Sequence, residues 1–291
     1  MRLVTFEHQG HRRIGVLEQD SVADLCTADP RLPVDMVDFI ALGADGLGRA
    51  ASALHKAPRL ALDSVRLLAP IRPRKNVFAV GRNYRDHAAE FSKSGFDASE
   101  KKMIPDFPVL FTKAPTSVIG PGDAIDTGND PTGTTDYEGE LGVVIGAPGK
   151  FVSAERAFDH VYGYTIVNDV TARDLQKKHV QWFVGKSPDT FCPMGPCITT
   201  ADELPDIGAS WLRTYVNGEL RQEAPIADLI FDIPTLIVTL TGVLTLEPGD
   251  IIATGTPLGA GLGFDPPRYL RPGDRVEVSV DGIGTLVNTV V

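Results

Sequence analysis

The chain has 291 residues, of which 43% are apolar and 23% are charged, as in an ordinary globular protein. Its 28 Lys and Arg residues against 38 Asp and Glu residues give a formal net charge of −10. That balance argues against a nucleic-acid surface, because phosphate binding needs a basic patch. The chain starts without an apolar run of signal-peptide type and contains no apolar run long enough for a membrane helix. We therefore expect a cytoplasmic protein that binds neither nucleic acid nor membrane.

The three cysteines are Cys26, Cys192 and Cys197. An odd, low count in a chain of this length indicates a reducing compartment and free thiols. Cys192 and Cys197 enclose the residues PMGP, but a zinc site would need further Cys or His residues nearby. Structural thiols are therefore predicted.

Residues 1–69 are expected to form a small α+β domain of their own. RLVTFE and RRIGVLEQDSVADL are typical of short strands joined by a turn at HQGH, and VDMVDFIALG and GRAASALHKA are typical of helices. The segment APIRPRKN then carries two prolines and three basic residues, which indicates a boundary. A larger domain is expected over residues 70–291.

The larger domain contains more strand signals than helix signals. NVFAVG, EGELGVVIG, VYGYTIVND and DIIATG predict strands, and RVEVSVDGIGTLVNTVV predicts a hairpin that turns at Asp281-Gly282. A short helix is expected after RNY, and another in TARDLQKK with Thr171 as its N-cap. Without a regular alternation of strand and helix, this order predicts a β-rich α+β fold.

The clearest helix signal is PTLIVTLTGVLTL. Pro234 fits its first turn, because a proline there lacks only an N–H that would be unpaired anyway. One apolar stripe at helical spacing is formed by Leu236, Ile237, Leu240, Val243 and Leu244.

Glu138 and Glu140 lie two residues apart in the strand segment EGELGVVIG, so both side chains share one face of the strand. Asp169 stands where the segment YGYTIVND stops and the next helix begins. Three carboxylates at neighbouring strand ends would suit a hard divalent cation such as Mg²⁺, Mn²⁺ or Ca²⁺. Taken alone, the E-x-E pattern also fits a solvated face, and Asp169 also fits a capping role.

Among the six histidines, only His87 lies in a dense polar segment with a carboxylate at helical spacing. His87 and Glu90 are three residues apart and are therefore neighbours on a helix, where they could act as a base with its orienting acid or lie as a simple surface pair. Other motifs are absent: GTPLGAGLGF has Phe264 where G-x-G-x-x-G needs its last glycine, and there is no Walker A, G-x-S-x-G or H-E-x-x-H pattern.

Seven segments in order resemble the fumarylacetoacetate hydrolase family from about residue 72 to the end. They are GRNYRDHAAE, DYEGELGVVIG, GYTIVNDVTARDLQ, GKSPDTFCPMGP, VNGELRQ, TLEPGDIIATGTPLGAG and GIGTLVN. The resemblance implies a mixed β-sandwich roll, generally a homodimer, that acts on a small 2-oxo or 1,3-dicarbonyl acid.

The resemblance also implies roles for individual residues. Glu138, Glu140 and Asp169 match the family's metal ligands, usually for Mg²⁺ or Mn²⁺, with Ca²⁺ possible. Lys186 matches the active-site lysine, and His87 and Glu90 match a catalytic dyad on a lid segment over residues 82–104. Substrate-binding positions are matched by Arg82, Tyr84, Arg173, Gln176 and Thr256.

Two departures concern the shape of the pocket. Pro188 replaces the aromatic residue of the usual GKSFD motif, and an insertion follows the lid at residues 91–107. Both positions adjoin the expected active site, so the substrate cannot be read from the family pattern alone.

The hypothesis favoured at this point is hydrolysis of a C–C bond in an acylpyruvate-type or 2,4-dioxo acid. Glu90 would orient His87, His87 would take a proton from water, and Lys186 would stabilise the enolate and have its pKa lowered by the neighbouring metal. The same enolate chemistry would serve an isomerase of 2-hydroxyhepta-2,4-diene-1,7-dioate or an oxaloacetate decarboxylase. A keto-acid-binding protein without catalysis and a structural Ca²⁺ site are the alternatives of another class.

Overall fold

The structure is a computed structural model that describes residues 1–93 and 104–291. Most of the predicted insertion at residues 91–107 and part of the predicted lid at residues 82–104 therefore lie outside the described residues. In the described part of the chain, the helices are all too short or too polar to cross a bilayer.

Nineteen strands occur in the described residues. They are β1 (Arg2–His8), β2 (His11–Leu17), β3 (Ser21–Asp24), β4 (Arg59–Ala61), β5 (Arg66–Leu67), β6 (Val77–Gly81), β7 (Val109–Lys113), β8 (Val118–Ile119), β9 (Ala124–Ile125), β10 (Thr135–Asp136), β11 (Gly139–Ile145), β12 (Val161–Asn168), β13 (Thr171–Ala172), β14 (Cys192–Thr200), β15 (Trp211–Val216), β16 (Glu219–Pro225), β17 (Ile251–Ala253), β18 (Arg275–Val280) and β19 (Gly284–Val290).

The α-helices of the described residues are short and few. They are α1 (Leu25–Ala28), α2 (Met36–Ile40), α3 (Gly43–Leu54), α4 (Arg85–Lys93), α5 (Arg173–Lys178), α6 (Phe183–Lys186) and α7 (Ile233–Thr241). The predicted β-rich α+β fold is confirmed.

A large sheet runs through the molecule in the order β4-β3-β2-β1-β14-β12-β11-β17-β6-β7, with β5 beside β1 and β8 beside β14. Most neighbours are antiparallel, whereas β17 pairs with β6 and β14 with β8 in parallel. Because β1 pairs with β14 through Arg2–Thr199 and Leu3–Ile198, residues of the predicted N-terminal domain share one sheet with the rest of the chain. The division at residue 69 stays a prediction.

A smaller sheet has the order β16-β15-β18-β19-β9. The predicted C-terminal hairpin is its centre, with β18 and β19 paired from Arg275–Thr289 to Val280–Gly284. Apolar side chains of both sheets form one core cluster that includes Leu141, Val143 and Leu212. On the opposite face of β11, Val144 joins a second cluster with residues of α2 and α3. Alternation along β11 therefore places Glu140 on the face directed away from the smaller sheet.

The predicted N-cap role of Thr171 is wrong. Thr171 lies in β13, pairs with Asp136, and donates its hydroxyl hydrogen to the carbonyl oxygen of Asp169 at 2.8 Å. Helix α5 begins two residues later, and Thr134 Oγ1 instead accepts from the first-turn N–H of Asp174 at 3.1 Å. A neighbouring loop thus supplies the cap that the local sequence was expected to supply.

The predicted helix at PTLIVTLTGVLTL is confirmed in its first part. Asp232 caps α7 by accepting from the N–H of Thr235, and Leu236, Ile237 and Leu240 are buried. The helix ends at Thr241, before the rest of the predicted stripe. Val243 and Leu244 lie beyond its end, so their place in the helical stripe is wrong, and Val243 is 79% exposed.

Candidate active site and metal centre

The three predicted metal-ligating carboxylates meet where β11 begins and β12 ends. Glu138 directly precedes β11, Glu140 is its second residue, and Asp169 directly follows β12. Antiparallel pairing of Gly139 with Asn168 brings these ends together, and the N–H of Asp169 donates to the carbonyl of Glu138 at 2.8 Å. One oxygen from each carboxylate lies within 4.8 Å of the others, and all three side chains are buried. Burial excludes the alternative of a solvated face.

Gly139 separates the two glutamates because the backbone passes close to the smaller sheet at this point. A Cβ atom there would overlap Thr214 Oγ1 and would crowd Val278. The sequence E-G-E therefore lets two carboxylates point to one side while the other side has no room for a side chain.

Buried cations hold two of the three carboxylates. The Nζ atom of Lys186 lies 2.7 Å from Glu138 Oε2 and 2.7 Å from Asp169 Oδ2. Lys113 donates to Asp169 Oδ1 at 2.5 Å and also contacts the carbonyl oxygens of Val170 and Lys186. Both oxygens of Asp169 are thus bound by an ammonium group. Since Lys113 and Lys186 are buried, these contacts are poorly screened by water.

Glu140 is held differently. Its Oε2 atom accepts from the N–H of Gly255 at 2.8 Å, and within residues 1–93 and 104–291 it forms no ion pair. Burial, together with the charges of Asp169 and Glu138, raises the pKa of Glu140 well above its usual value. For Glu138, burial acts in the same direction, but the cations Lys186 and Arg173 outweigh it and lower the pKa.

The donor set fits a hard divalent cation. Three carboxylates converge in a buried space, and among residues 1–93 and 104–291 the partner of Glu140 is a backbone N–H rather than a cation. A divalent cation bound by oxygen atoms would add positive charge beside Glu140. The carboxylates themselves raise the pKa of Lys186 against the opposing effect of burial. A metal bound to the same oxygens would lower the pKa of Lys186, as predicted from the sequence.

His87 and Glu90 form the predicted pair on α4. His87 Nδ1 lies 3.0 Å from Glu90 Oε2, and the two side chains are only 4% and 8% exposed. The other carboxylate oxygen, Oε1, accepts from the N–H of Gly259 at 3.2 Å. The pair is therefore buried against the loop after β17, and the alternative of a simple surface pair is excluded.

Comparison with known proteins agrees with this geometry. The model of the fumarylacetoacetate hydrolase C-terminal family matches residues 76–291. The chain belongs to the fumarylacetoacetate hydrolase family. It is 44% identical to oxaloacetate tautomerase YisK of Bacillus subtilis over 100% of both proteins.

Two solved structures of the family are also similar. A fumarylacetoacetate hydrolase from Exiguobacterium antarcticum is 45% identical, with a TM-score of 0.86 over 100% of this chain and 99% of that chain. Maleylpyruvate hydrolase from Sphingobium sp. SYK-6, solved with manganese(II) and pyruvate, is 32% identical with a TM-score of 0.80 over the same shares of the two chains. The similar proteins thus include one named as a tautomerase and two named as hydrolases.

The family resemblance pointed to a set of substrate-binding residues, and the structure brings most of them to one small cavity. The cavity has a volume of about 10 Å³ and is lined by Arg82, His87, Gln176, Lys186 and Thr256, by Glu138 and Glu140, and by Val80, Gly81 and Trp182. Such a volume suits about one water molecule. The lining side chains must therefore move before an organic acid can enter.

Arg173 lies behind this cavity. Its Nε and Nη2 atoms bind Asp136 Oδ2 at 2.8 and 2.7 Å, and its Nη1 atom binds Glu138 Oε1 at 2.6 Å. The same Nη1 donates to Gln176 Oε1 at 3.2 Å, so Arg173 orients one of the three carboxylates and one cavity residue. In this arrangement Arg173 acts on the site through its neighbours.

Tyr84 is not brought to the small cavity. It is 3% exposed and lines a separate groove of about 990 Å³ between α4, β16 and the loop that contains Gly259. Glu90 lines the same groove, so the two spaces lie on opposite sides of the His87–Glu90 pair. The substrate-binding role of Tyr84 stays a prediction.

Three residues around the site were missed by sequence reasoning: Lys113, Trp182 and Gln222. Lys113 is the last residue of β7, and a lysine at the end of an apolar strand, where a buried position is expected, is a signal that could have been used. Trp182 lines the cavity, lies against Gly81, and packs edge-on against Phe111 with ring centroids 5.3 Å apart. Gln222 is the last residue of the family-like segment VNGELRQ, but sequence reasoning did not connect it with the site.

Proposed function

We propose that the protein interconverts the keto and enol forms of an oxaloacetate-type 2-oxo dicarboxylic acid, with Mg²⁺ or Mn²⁺ as cofactor. The observation that supports the proposal is the common cavity of His87, Lys186, Glu138 and Glu140, in which an imidazole and a buried ammonium lie beside two carboxylates. Full-length similarity to a protein named oxaloacetate tautomerase supports this reaction among those known in the family.

Glu138, Glu140 and Asp169 would hold the divalent cation, which polarises a bound 2-oxo group and offsets the charge of an enolate. The crystal structure of a relative with manganese(II) and pyruvate supports a cation and a 2-oxo acid as ligands of this fold. The all-oxygen donor set suits Mg²⁺, Mn²⁺ and Ca²⁺ alike.

Lys186 and the polar residues of the cavity would bind and orient the acid. The Nζ atom of Lys186 is already 2.7 Å from two of the carboxylates and can donate to an enolate oxygen that forms beside them. Arg82 adopts a left-handed backbone conformation, with φ of 55°, and lines the cavity. An arginine there supplies a fork of donors for a carboxylate group.

His87 would move the proton at C3 of the acid. Its Nδ1 atom is paired with Glu90, so Nε2 is the ring nitrogen that exchanges a proton with the substrate. In the keto-to-enol direction, His87 removes the C3 proton, and the 2-oxo oxygen gains a proton through Lys186. Glu90 stabilises the imidazolium that forms and fixes the direction of the ring.

The test is exchange at C3. Oxaloacetate is incubated in D₂O with the Mg²⁺- or Mn²⁺-loaded protein, and both enol absorbance and deuterium incorporation at C3 are followed. We expect catalysed exchange that a chelator abolishes and that His87→Asn lowers by about 10²- to 10⁴-fold, the usual contribution of a general base. His55→Asn, which changes an exposed histidine far from the site, is the matched control. Exchange at the uncatalysed rate with the loaded wild-type protein would refute the proposal.

Hydrolysis of a C–C bond is the second candidate. The buried His87–Glu90 pair favours it, because such a pair can also activate water, and a relative is named maleylpyruvate hydrolase. Acylpyruvate and maleylpyruvate are therefore included as substrates, with product analysis. Cleavage of either acid without C3 exchange of oxaloacetate would favour the hydrolase. Pyruvate formed from oxaloacetate would reveal decarboxylation.

A further inference from the structure

Gln222 connects the smaller sheet to the candidate active site. It lies on β16, is fully buried, and reaches between the E-G-E segment and the loop after β17. Its Oε1 atom accepts from the N–H of Gly139 at 3.0 Å. Its Nε2 atom donates to the carbonyl oxygen of Pro257 and to Thr256 Oγ1, both at 2.8 Å.

These partners fix the orientation of the Gln222 amide. The backbone N–H of Gly139 can only donate, so the atom facing it must be the amide oxygen. The carbonyl of Pro257 can only accept, so the atom facing it must be the amide nitrogen. Both requirements agree, and Nε2 therefore donates to Thr256 Oγ1.

The direction of that hydrogen bond determines what the Thr256 hydroxyl can do. A hydroxyl has one hydrogen, and because Thr256 accepts from Gln222, this hydrogen stays available for another acceptor. Within residues 1–93 and 104–291, the bond from Gln222 is the only hydrogen bond of this hydroxyl. Thr256 is 2% exposed and lines the cavity that contains Lys186 and Glu140, so its hydrogen can only be used inside the protein or by a ligand.

We propose that Gln222 is a positioning residue that makes Thr256 a hydrogen-bond donor toward a carboxylate group of the substrate. By binding Gly139, the same amide fixes the distance between this donor and the glutamates on either side of Gly139. The inference rests on the keto-acid binding of the proposed function and adds a specificity for anionic over neutral ligands at Thr256.

Gln222→Glu reverses the direction of the hydrogen bond. One oxygen of the new side chain can still accept from Gly139. The other faces both the Pro257 carbonyl and Thr256 with at most one acid hydrogen, which the Pro257 carbonyl takes, so Thr256 donates to the glutamate and its hydroxyl hydrogen turns away from the cavity. We expect the Kd of pyruvate, measured by calorimetry on Mn²⁺-loaded protein, to rise by about 10- to 100-fold, as for the loss of a hydrogen bond to a charged group. Gln19→Glu adds the same charge at an exposed position and is the control.

A double-mutant cycle separates positioning from general damage. Thr256→Val should raise the Kd by about 10- to 100-fold in the wild-type background, and Thr256→Ser, which keeps the hydroxyl, by less than about threefold. In the Gln222→Glu background, Thr256→Val should add less than about threefold, because its hydroxyl is already turned away. If Thr256→Val raised the Kd of pyruvate by the same factor in both backgrounds, the proposal would be overturned.

Gln222→Met gives the second contrast, since it keeps the volume but offers no acceptor for the Thr256 hydroxyl. It also removes the bonds to Gly139 and Pro257, but it places no acid beside the Pro257 carbonyl and no acceptor beside Thr256, so it should weaken pyruvate binding less than Gln222→Glu does. Equal weakening by both variants, or a wild-type protein that binds neither pyruvate nor oxaloacetate, would overturn the assignment. Binding without C3 exchange would instead refute the tautomerase proposal and leave the role of Gln222 to be judged by the cycle.

Discussion

Lys113 and Asp169 form a fully buried ion pair, with Lys113 Nζ 2.5 Å from Asp169 Oδ1. The lysine comes from the end of β7 and the aspartate from the end of β12, so the pair joins the edge of the large sheet to its centre. Together with Lys186 on the other oxygen, it fixes the direction of one of the three carboxylates proposed to bind the metal.

Lys113→Met should therefore destabilise the protein strongly. The substitution keeps the length of the side chain but leaves a buried carboxylate with one cation fewer, which typically costs about 3–5 kcal/mol. Urea unfolding gives the free energy, and Lys56→Met at an exposed position should change it by less than about 0.5 kcal/mol. A similar small change for Lys113→Met would show that the pair contributes little to the native state.

Glu140→Gln should have opposite effects on stability and on metal binding. Burial and two neighbouring carboxylates raise the pKa of Glu140, so its ionised form is unfavourable in the metal-free protein. The amide removes that charge and can still accept from Gly255, and we expect the free energy of unfolding at pH 7 with chelator to rise by about 1–3 kcal/mol.

The same substitution removes a charged metal ligand, so Mn²⁺ affinity measured by calorimetry should fall by at least about 100-fold. Glu7→Gln at an exposed position should alter neither quantity. If Glu140→Gln left Mn²⁺ binding intact, Glu140 would not be a ligand.

Glu90→Gln tests whether the carboxylate supports His87 in catalysis. Glutamine can still hydrogen-bond to Nδ1 but cannot stabilise the imidazolium, so the rate of C3 exchange should fall by about 10- to 100-fold. Mn²⁺ affinity should stay within about twofold of wild type, because Glu90 is not among the three carboxylates proposed to bind the metal. An unchanged exchange rate would mean that His87 works without its partner.

Gly81→Ala should displace Trp182. The added Cβ atom would overlap the indole ring, and overpacking of this kind costs about 1–3 kcal/mol. The chain has two tryptophans, so a Trp211→Phe background makes fluorescence report on Trp182 alone. We expect the emission maximum of Trp182 to be shifted in the Gly81→Ala variant. Adding pyruvate to the protein with Gly81 intact should also change the emission of Trp182. If the Gly81→Ala substitution leaves the emission spectrum unchanged, Trp182 does not lie against Gly81.

Cys192 should make the protein less stable in mild alkali. Burial raises the pKa of its thiol from the ordinary value of 9.0 to about 12. Above pH 9 the unfolded chain releases this proton while the folded chain keeps it, so stability is complete below pH 9 and decreases as the pH rises. From pH 9 to 10 the loss reaches up to about 1.4 kcal/mol. Urea unfolding of Cys192→Ala should show a smaller decrease over this interval, and an equal decrease would exclude Cys192 as the cause.

The sequence predicted those parts of the site that lie next to strand ends. Glu138, Glu140 and Asp169 could be grouped because the alternation of a strand and the end of its neighbour restrict where side chains point. Lys113 and Gln222 could not, since their partners Asp169 and Gly139 lie 56 and 83 residues away and the register of the sheets decides the contact. For Thr171 a prediction from local sequence failed, because Thr134 of a neighbouring loop caps α5 instead.

The fold was predictable to a similar extent. The turn between β1 and β2 follows from Gln9-Gly10, which both adopt positive φ angles, as a two-residue hairpin turn requires. The pairing of β1 with β14 joins residues almost 200 positions apart, and no local sequence pattern predicts it.

The bridge that Gln222 makes between the two sheets has a consequence for how the protein acquires its site. Asn83 likewise donates to the carbonyl of Thr254, 171 residues away, so contacts between distant parts of the chain join the segments around the candidate site. Contacts of such separation form after the intervening chain has been ordered. Binding of a divalent cation would therefore indicate that folding is complete. A partly folded chain would contain the same carboxylates, but they would not be close enough together to bind the cation.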